Sequence, residues 1–245
     1  MEFNQQTGHR LRFKTSNLLE KQMKGTVAKA ELTALFKEVW RSSGNKIKRL
    51  DVRFRGQGAG IRFRRRGRKL SATIALPALD NTEDVPQDLF NDLTGYVLHE
   101  VGHALFTDND PWDDAVREHG RVLGGFINGM EDSRIELELI RSGYADNAHA
   151  RFVQLTNNTF QHGFDIDMVE NVSAVLAVEG RRLNGYELTI PDLLSDNQWG
   201  PEIVRALLDL KSCNNTGDVV EVAVDLWLKI KRLNEQEEIW ISVEQ

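Results

Sequence analysis

The hydrophobic residues of this chain follow two different periods, one between residues 50 and 76 and another on either side of that segment. From 50 to 76, apolar and polar residues alternate, which is typical of strands with one buried face. The alternation predicts three short strands, near 50–55, 61–64 and 71–76, with glycines at the turns between them. We therefore expect a small, mostly antiparallel sheet.

Elsewhere the apolar residues recur every three or four positions, which predicts amphipathic helices. One helix is expected before the sheet, at 26–42, and a second directly after it, at 86–106. Helical spacing continues toward the C-terminus, at 127–139, 146–160, 167–183, 200–212 and 217–233. The pattern indicates an α+β fold, in which a small sheet precedes a pair of helices and a largely helical C-terminal part follows.

The helix expected at 86–106 carries a polar stripe whose residue types suggest metal chemistry. His99 and His103 stand four positions apart, and Glu100 directly follows the first of them. Positions i and i+4 share one helix face, so both imidazoles can hold a single metal ion. Catalytic zinc takes three protein ligands and one water, and a carboxylate beside it can serve as the general base. The spacing therefore predicts a zinc hydrolase with Glu100 as the base.

The third ligand is less clear from the residues alone. A metzincin would place glycine and histidine where this chain has Phe106 and Asn109, so that class is excluded. Glu131, on the helix expected at 127–139, is the candidate ligand. The alternatives are the nearest carboxylate and three histidines, each of which is more simply interpreted as a surface or structural residue: Asp132, His119, His149 and His162.

Two segments taken together resemble a known group of proteins. His99-Glu100-Val101-Gly102-His103, followed by Glu131-Asp132-Ser133-Arg134-Ile135-Glu136, is similar to the metallopeptidase-like region of cobalt chelatase T-subunit relatives and of phage metallopeptidase-like proteins. That region resembles the gluzincins, and the likeness covers about residues 70–155. It implies that His99, His103 and Glu131 bind Zn²⁺ and that Glu100 is the base.

The resemblance also has a departure that bears on the site. Many gluzincins place an aspartate four residues after the ligand glutamate, where it steadies a ligand histidine, but this chain has Ile135 there. Metal-bound imidazoles usually donate their second N–H to a carboxylate or carbonyl. We expect Asp132, Asp108 or a backbone carbonyl to take that role.

These observations lead to one expected function and one alternative. The first is a zinc-dependent peptidase that acts on a protein or peptide substrate, with residues 1–145 as the zincin-like core and 146–245 as a helical extension. In such enzymes an exposed strand can hold an extended substrate, and residues 73–77 are either that strand or a core strand. The alternative is a non-enzymatic, metal-stabilised module that contacts nucleic acid or a protein through the basic sheet at 41–70.

Positive and negative residues are concentrated in different segments of the sequence, which bears on the kind of partner that the protein can bind. Residues 41–70 contain twelve Lys or Arg and one acid, whereas 71–118 contain eleven Asp or Glu and one base. A basic face attracts nucleic acid or acidic partners, but aromatic residues for base stacking are not interleaved there. A solvated arginine face, or one paired with the acidic block, is the favoured interpretation.

The remaining composition bears on the compartment. The single cysteine, Cys213, excludes an internal disulfide and cysteine-based zinc sites. The sequence has no signal-peptide pattern and no run of 18 apolar residues. We expect a cytoplasmic protein without a membrane partner, in the host cytoplasm if the resemblance to phage proteins holds.

Overall fold

The computed structural model describes residues 23–44, 49–55, 58–66, 69–166 and 168–243, and it confirms the α+β class. The N-terminal segment before residue 23, which we expected to be loose, lies outside the described residues. A 3-10 turn at Val169–Asn171 precedes the sixth helix. The elements in chain order are β1 (Met23–Lys24), α1 (Gly25–Ser42), β2 (Arg49–Phe54), β3 (Gly60–Arg66), β4 (Lys69–Leu76), β5 (Asp84–Val85), α2 (Gln87–Phe106), α3 (Asn109–His119), α4 (Arg121–Ser142), α5 (Ala148–Phe160), α6 (Val172–Leu183), α7 (Gly200–Leu210) and α8 (Thr216–Val243).

The main sheet has three strands in the order β2-β4-β3. β4 lies between β2 and β3, which run in opposite directions. It is therefore parallel to β2 and antiparallel to β3. The main sheet is therefore mixed, and two of the three strand pairings in the described residues, including β1 with β5, are antiparallel. A separate short ladder pairs β1 with β5.

The alternation of apolar and polar residues sets the two faces of this sheet. Ala72, Ile74 and Leu76 of β4 are buried against the helices. Val52 and Ile61 lie opposite Ile74 in the register and share that inner face. The outer face carries the residues between them, and arginines dominate it.

The placement of β4 corrects one expectation from the sequence. Residues 73–77 were a candidate for an exposed, substrate-binding strand, but β4 is the central strand and has neighbours on both sides. Both of its hydrogen-bonding edges are used within the sheet, so no substrate can pair with it. The edge strands of this sheet are β2 and β3, and β3 is the one that begins beside α2.

Two hydrophobic cores lie on either side of the α2–α4 pair. The sheet core joins α1, β4, α2 and α5, with Leu32, Phe36, Ile74, Leu76, Leu93, Val97, Val101, Leu139 and Phe152. The helical core joins α3, α4, α6, α7 and α8, with Leu123, Phe126, Ile127, Met130, Val175, Leu176, Ile203, Val219 and Leu226. α4 contributes to both cores, and α5 packs on α2, so the packing does not divide at residue 145.

Glycines allow α4 to approach its neighbours closely. A Cβ at Gly129 would lie 2.2 Å from the carbonyl oxygen of Ser173, so α4 and α6 touch backbone to backbone. On α2, a Cβ at Gly102 would lie 2.8 Å from Cδ1 of Ile135. These contacts fix the position and rotation of α4 against α2. None of the described helices combines the length and the apolar character needed to cross a membrane.

Candidate metal centre

Helix α2 presents the two histidines to the interior. His99 and His103 lie one turn apart, with ring centroids 4.8 Å apart in an edge-to-face arrangement. His103 is buried, and His99 keeps only 14% of its side chain exposed. The apolar positions of α2 face the sheet core, which leaves this polar face directed toward α4.

Asp132 of α4 completes a group of three possible ligands. Its Oδ1 atom lies 3.2 Å from His103 Nε2 and 3.5 Å from His99 Nε2. In the described part of the chain, one ligand atom from each of these residues lies within 4.8 Å of the other two. Tetrahedral zinc with bonds of about 2.0–2.1 Å separates its ligand atoms by about 3.3 Å. The two distances from Asp132 are close to that value, and the three ligand atoms lie within 4.8 Å of one another.

Glu131, the third ligand that the sequence predicts, is not a member of this group among the described residues. Arg134 donates two hydrogen bonds to its fully buried carboxylate, at 2.8 and 2.6 Å. The hydroxyl groups of Thr107 and Thr216 donate two more, each at 2.9 Å. Of these two adjacent acids on α4, Asp132 is the one whose carboxylate lies beside both histidines.

Hydrogen bonds to the Nδ1 atoms orient both imidazole rings so that their Nε2 atoms lie beside Asp132. His99 Nδ1 lies 2.8 Å from Glu136 Oε1, and a carboxylate there accepts the Nδ1 proton. His103 Nδ1 lies 3.0 Å from the hydroxyl of Thr107, which itself donates to Glu131. Each imidazole thus directs its Nε2 atom toward Asp132, and a metal bound there would replace the Nε2 protons. Glu131 supports His103 indirectly, through Thr107.

Glu136 takes the orienting role that we had expected of Asp132, Asp108 or a carbonyl. Arg181 of α6 donates to its two carboxylate oxygens at 2.8 and 2.6 Å, and the Tyr186 hydroxyl donates at 3.1 Å. Burial alone would raise the pKa of Glu136, but the Arg181 guanidinium outweighs it and lowers that pKa to about 2. The carboxylate beside His99 is therefore ionised at any physiological pH.

The metal-free site is an ion-pair network. Burial opposes a charge on His99, but Asp132 and Glu136 outweigh it and raise the pKa of His99 to about 9. Burial likewise opposes a charge on Asp132, yet His99, the hydrogen bond with His103 and Arg181 together lower its pKa to about 2. At neutral pH the positively charged imidazole of His99 thus lies between the carboxylates of Asp132 and Glu136. A divalent cation would displace the proton on His99 and take over this role.

Glu100 faces a pocket of about 440 Å³ that also exposes both histidines. Burial raises the pKa of Glu100, while the amide of Ile61 donates a hydrogen bond that favours its charged form. The pocket walls come from the start of β3, from α2 and α3, and from Asn128 of α4. The lining residues are Ala59, Gly60, Ile61, Tyr96, His99, Glu100, His103, Thr107, Asn109, Trp112, Asp113 and Asn128.

The other residues considered for the site lie elsewhere. His119 ends α3 beside Glu118, and His149 packs edge to face on Tyr186 with ring centroids 4.8 Å apart. His162 is exposed after α5. Asn128, which sequence reasoning did not single out, donates to Asp132 Oδ2 at 3.3 Å. Its position four residues before Asp132 on one helix was the available signal.

No protein-family model, curated protein or solved structure matches this chain. The resemblance to chelatase-related and phage metallopeptidase-like proteins therefore stays a prediction. The interpretation of the site rests on its own geometry.

The orienting role of Glu136 gives a testable prediction. Glu136→Gln should weaken zinc affinity by about 10- to 100-fold, because the carboxylate that holds the His99 ring becomes neutral. Competition with a chromogenic chelator measures this affinity. The matched control is Glu138→Gln, on the same helix, where the carboxylate is partly exposed and pairs with Arg141 at 3.2 Å. Equal affinities in the two variants would contradict the role of Glu136.

Proposed function

We propose that this protein is a zinc-dependent peptidase whose metal is held by His99, His103 and Asp132. The observation that carries the proposal is the convergence of these three side chains, two of which, His99 and His103, line a pocket together with Glu100. The hydrogen bonds of the two histidines to Glu136 and Thr107 direct their Nε2 atoms toward Asp132, where a cation would replace the Nε2 protons. The ligand set of two imidazoles and one carboxylate suits zinc in hydrolytic enzymes.

Bound zinc would act as a Lewis acid and bring the pKa of water from about 16 toward about 7. Glu100 would then accept the proton of the attacking water and pass it to the leaving amine. Its burial supports this role, because a raised pKa brings the carboxylate closer to the proton affinity that a base needs near neutral pH. The Ile61 amide holds that carboxylate in the pocket.

The edge strand supports a peptide as the substrate. β3 begins at the pocket wall, and one of its edges is not paired within the three-stranded sheet. An extended peptide can add to such an edge through main-chain hydrogen bonds. A bound segment would then lead directly to the histidines and Glu100.

The open pocket favours catalysis over a purely structural metal site. Structural zinc is normally enclosed by four protein ligands. Within the described residues, the candidate group has three members, and two of them, His99 and His103, line a pocket of about 440 Å³. The non-enzymatic alternative would require a further protein ligand to close the site.

A metal-removal experiment tests this function. The protein is stripped with a chelator, reloaded with zinc, and incubated with a mixture of unfolded proteins, and new peptide termini are identified by mass spectrometry. We expect one zinc ion per chain and new internal termini only in the reloaded sample. If the reloaded sample holds one zinc ion per chain and still gives the same peptide termini as the stripped sample, the result would contradict a zinc-dependent peptidase.

A further inference from the structure

The outer face of the sheet forms a trough with basic walls. Arg53 and Arg55 lie on the β2 side, and Arg62 lies on the β3 side. Small residues lie between them, so the face forms an open depression of about 630 Å³. We call this the arginine trough, and its floor consists of Gly60, Thr73 and Ala75.

The width of the trough suits one extended polypeptide. Arg53 and Gly60 both lie opposite Ala75, and Arg62 lies opposite Thr73. Adjacent strands are about 4.8 Å apart, so β2 and β3 are separated by about 10 Å. An extended chain on β4 would therefore have a guanidinium group on each side.

The charge in the trough is accessible to a partner. Arg53 has 52% of its side chain exposed and lies 3.8 Å from Asp51. Arg55 and Arg62 are also exposed. Asp51 is the single acid between residues 41 and 70, so the surface keeps a strong positive charge.

The arginine trough is continuous with the metal pocket. Ala59, Gly60 and Ile61 line both of them. Ile61 also donates its amide to Glu100, which places the general base directly across this boundary. A peptide whose cleaved bond lies beside Glu100 can therefore continue over the start of β3 into the trough.

We propose that the arginine trough binds an acidic segment of the substrate next to the cleaved bond. This inference rests on the proposed peptidase function and names the substrate class, a polypeptide with Asp or Glu residues on one flank. Nucleic acid fits less well, because the described outer-face residues include no aromatic side chain for base stacking. A nucleic acid is negatively charged along its whole length, so its phosphates would also enter the pocket that contains the acids Glu100 and Asp113. A peptide can carry its acidic residues only on the flank that lies in the trough.

A binding measurement without turnover tests the trough separately from the peptidase function. The probes are two fluorescein-labelled decapeptides, one alternating Glu and Gly and the other alternating Gln and Gly. Fluorescence anisotropy is recorded with Glu100→Gln protein, so that no probe is cut. We expect the Glu probe to bind more tightly at low salt, and the preference to fall as the salt is raised past about 0.15 M.

Charge-matched variants locate this binding. Arg53→Gln with Arg62→Gln should weaken the Glu probe about fivefold and leave the Gln probe unchanged, as expected for two exposed ion pairs. The control is Arg117→Gln with Arg141→Gln, two exposed arginines that pair with acids on their own helices. Equal losses in both double variants, or no preference for the Glu probe, would overturn the proposal. Tighter binding of a labelled single-stranded oligonucleotide that depends on Arg53 and Arg62 would overturn it as well.

Discussion

Glu100→Gln should lower the rate of peptide hydrolysis by about 10²- to 10⁴-fold while the protein keeps its zinc, since a positioned general base contributes about that much. Glutamine preserves the shape of the side chain but cannot accept the proton of the attacking water. Glu100 is not among the three candidate ligands, so metal content should not change. The measurements are the cleavage rate of a substrate peptide and the zinc content of the purified variant.

The same variant should not lose stability. Burial raises the pKa of Glu100 above its ordinary value, so the folded state holds the proton more tightly than the unfolded chain does. Above both pKa values the charged carboxylate therefore destabilises the fold, and a neutral amide removes that cost. Thermal unfolding should show an equal or higher midpoint. An undiminished cleavage rate would refute the role of Glu100, and Glu118→Gln on the exposed face of α3 is the control.

The second large effect separates two adjacent acids on α4. Asp132→Asn should weaken zinc binding by more than about 100-fold, because even the partners that only orient ligands contribute 10- to 100-fold. Glu131→Gln should leave zinc binding within a few-fold but destabilise the protein by about 3–5 kcal/mol, because Arg134 would stay buried without its counter-charge. Zinc competition and urea unfolding of both variants give the two quantities.

The opposite pattern would restore the assignment made from sequence. If Glu131→Gln lost zinc at a temperature where it remains folded, and Asp132→Asn retained zinc, Glu131 would be the ligand. Asp88→Asn, on the exposed first turn of α2, is a control for a change of charge alone.

The helices and strands were predictable because their signals are local. Alternation between 50 and 76 predicted β2, β3 and β4, and helical spacing predicted α1 and α2 to within a residue at most of their ends. The i, i+4 spacing of His99 and His103 likewise depends only on one helix. α3 was missed, although Asp108 accepts a hydrogen bond from the Asp110 amide at its start and is a recognisable N-cap residue.

The position of Asp132 beside the histidines was not predictable in the same way, because it depends on how α4 is rotated about its axis. That rotation is set by contacts far apart in sequence, such as Gly129 against Ser173 and Gly102 against Ile135. A clue was nevertheless present. Asp132 and Glu136 are four residues apart and share a helix face. Gluzincins have the same spacing between the ligand acid and the acid that orients a histidine, but the sequence comparison placed that pair at 131 and 135, one position earlier. The order of the strands, and with it the edge position of β3, is also a long-range property.

Thr216, at the start of α8, helps to hold His103, which lies more than a hundred residues earlier in the chain. Its hydroxyl accepts from the Asp108 amide at 2.8 Å and donates to Glu131, which holds Thr107 and through it the His103 ring. The last helix thus helps to hold the candidate metal site in place, and residues 146–245 contribute to that site through Thr216.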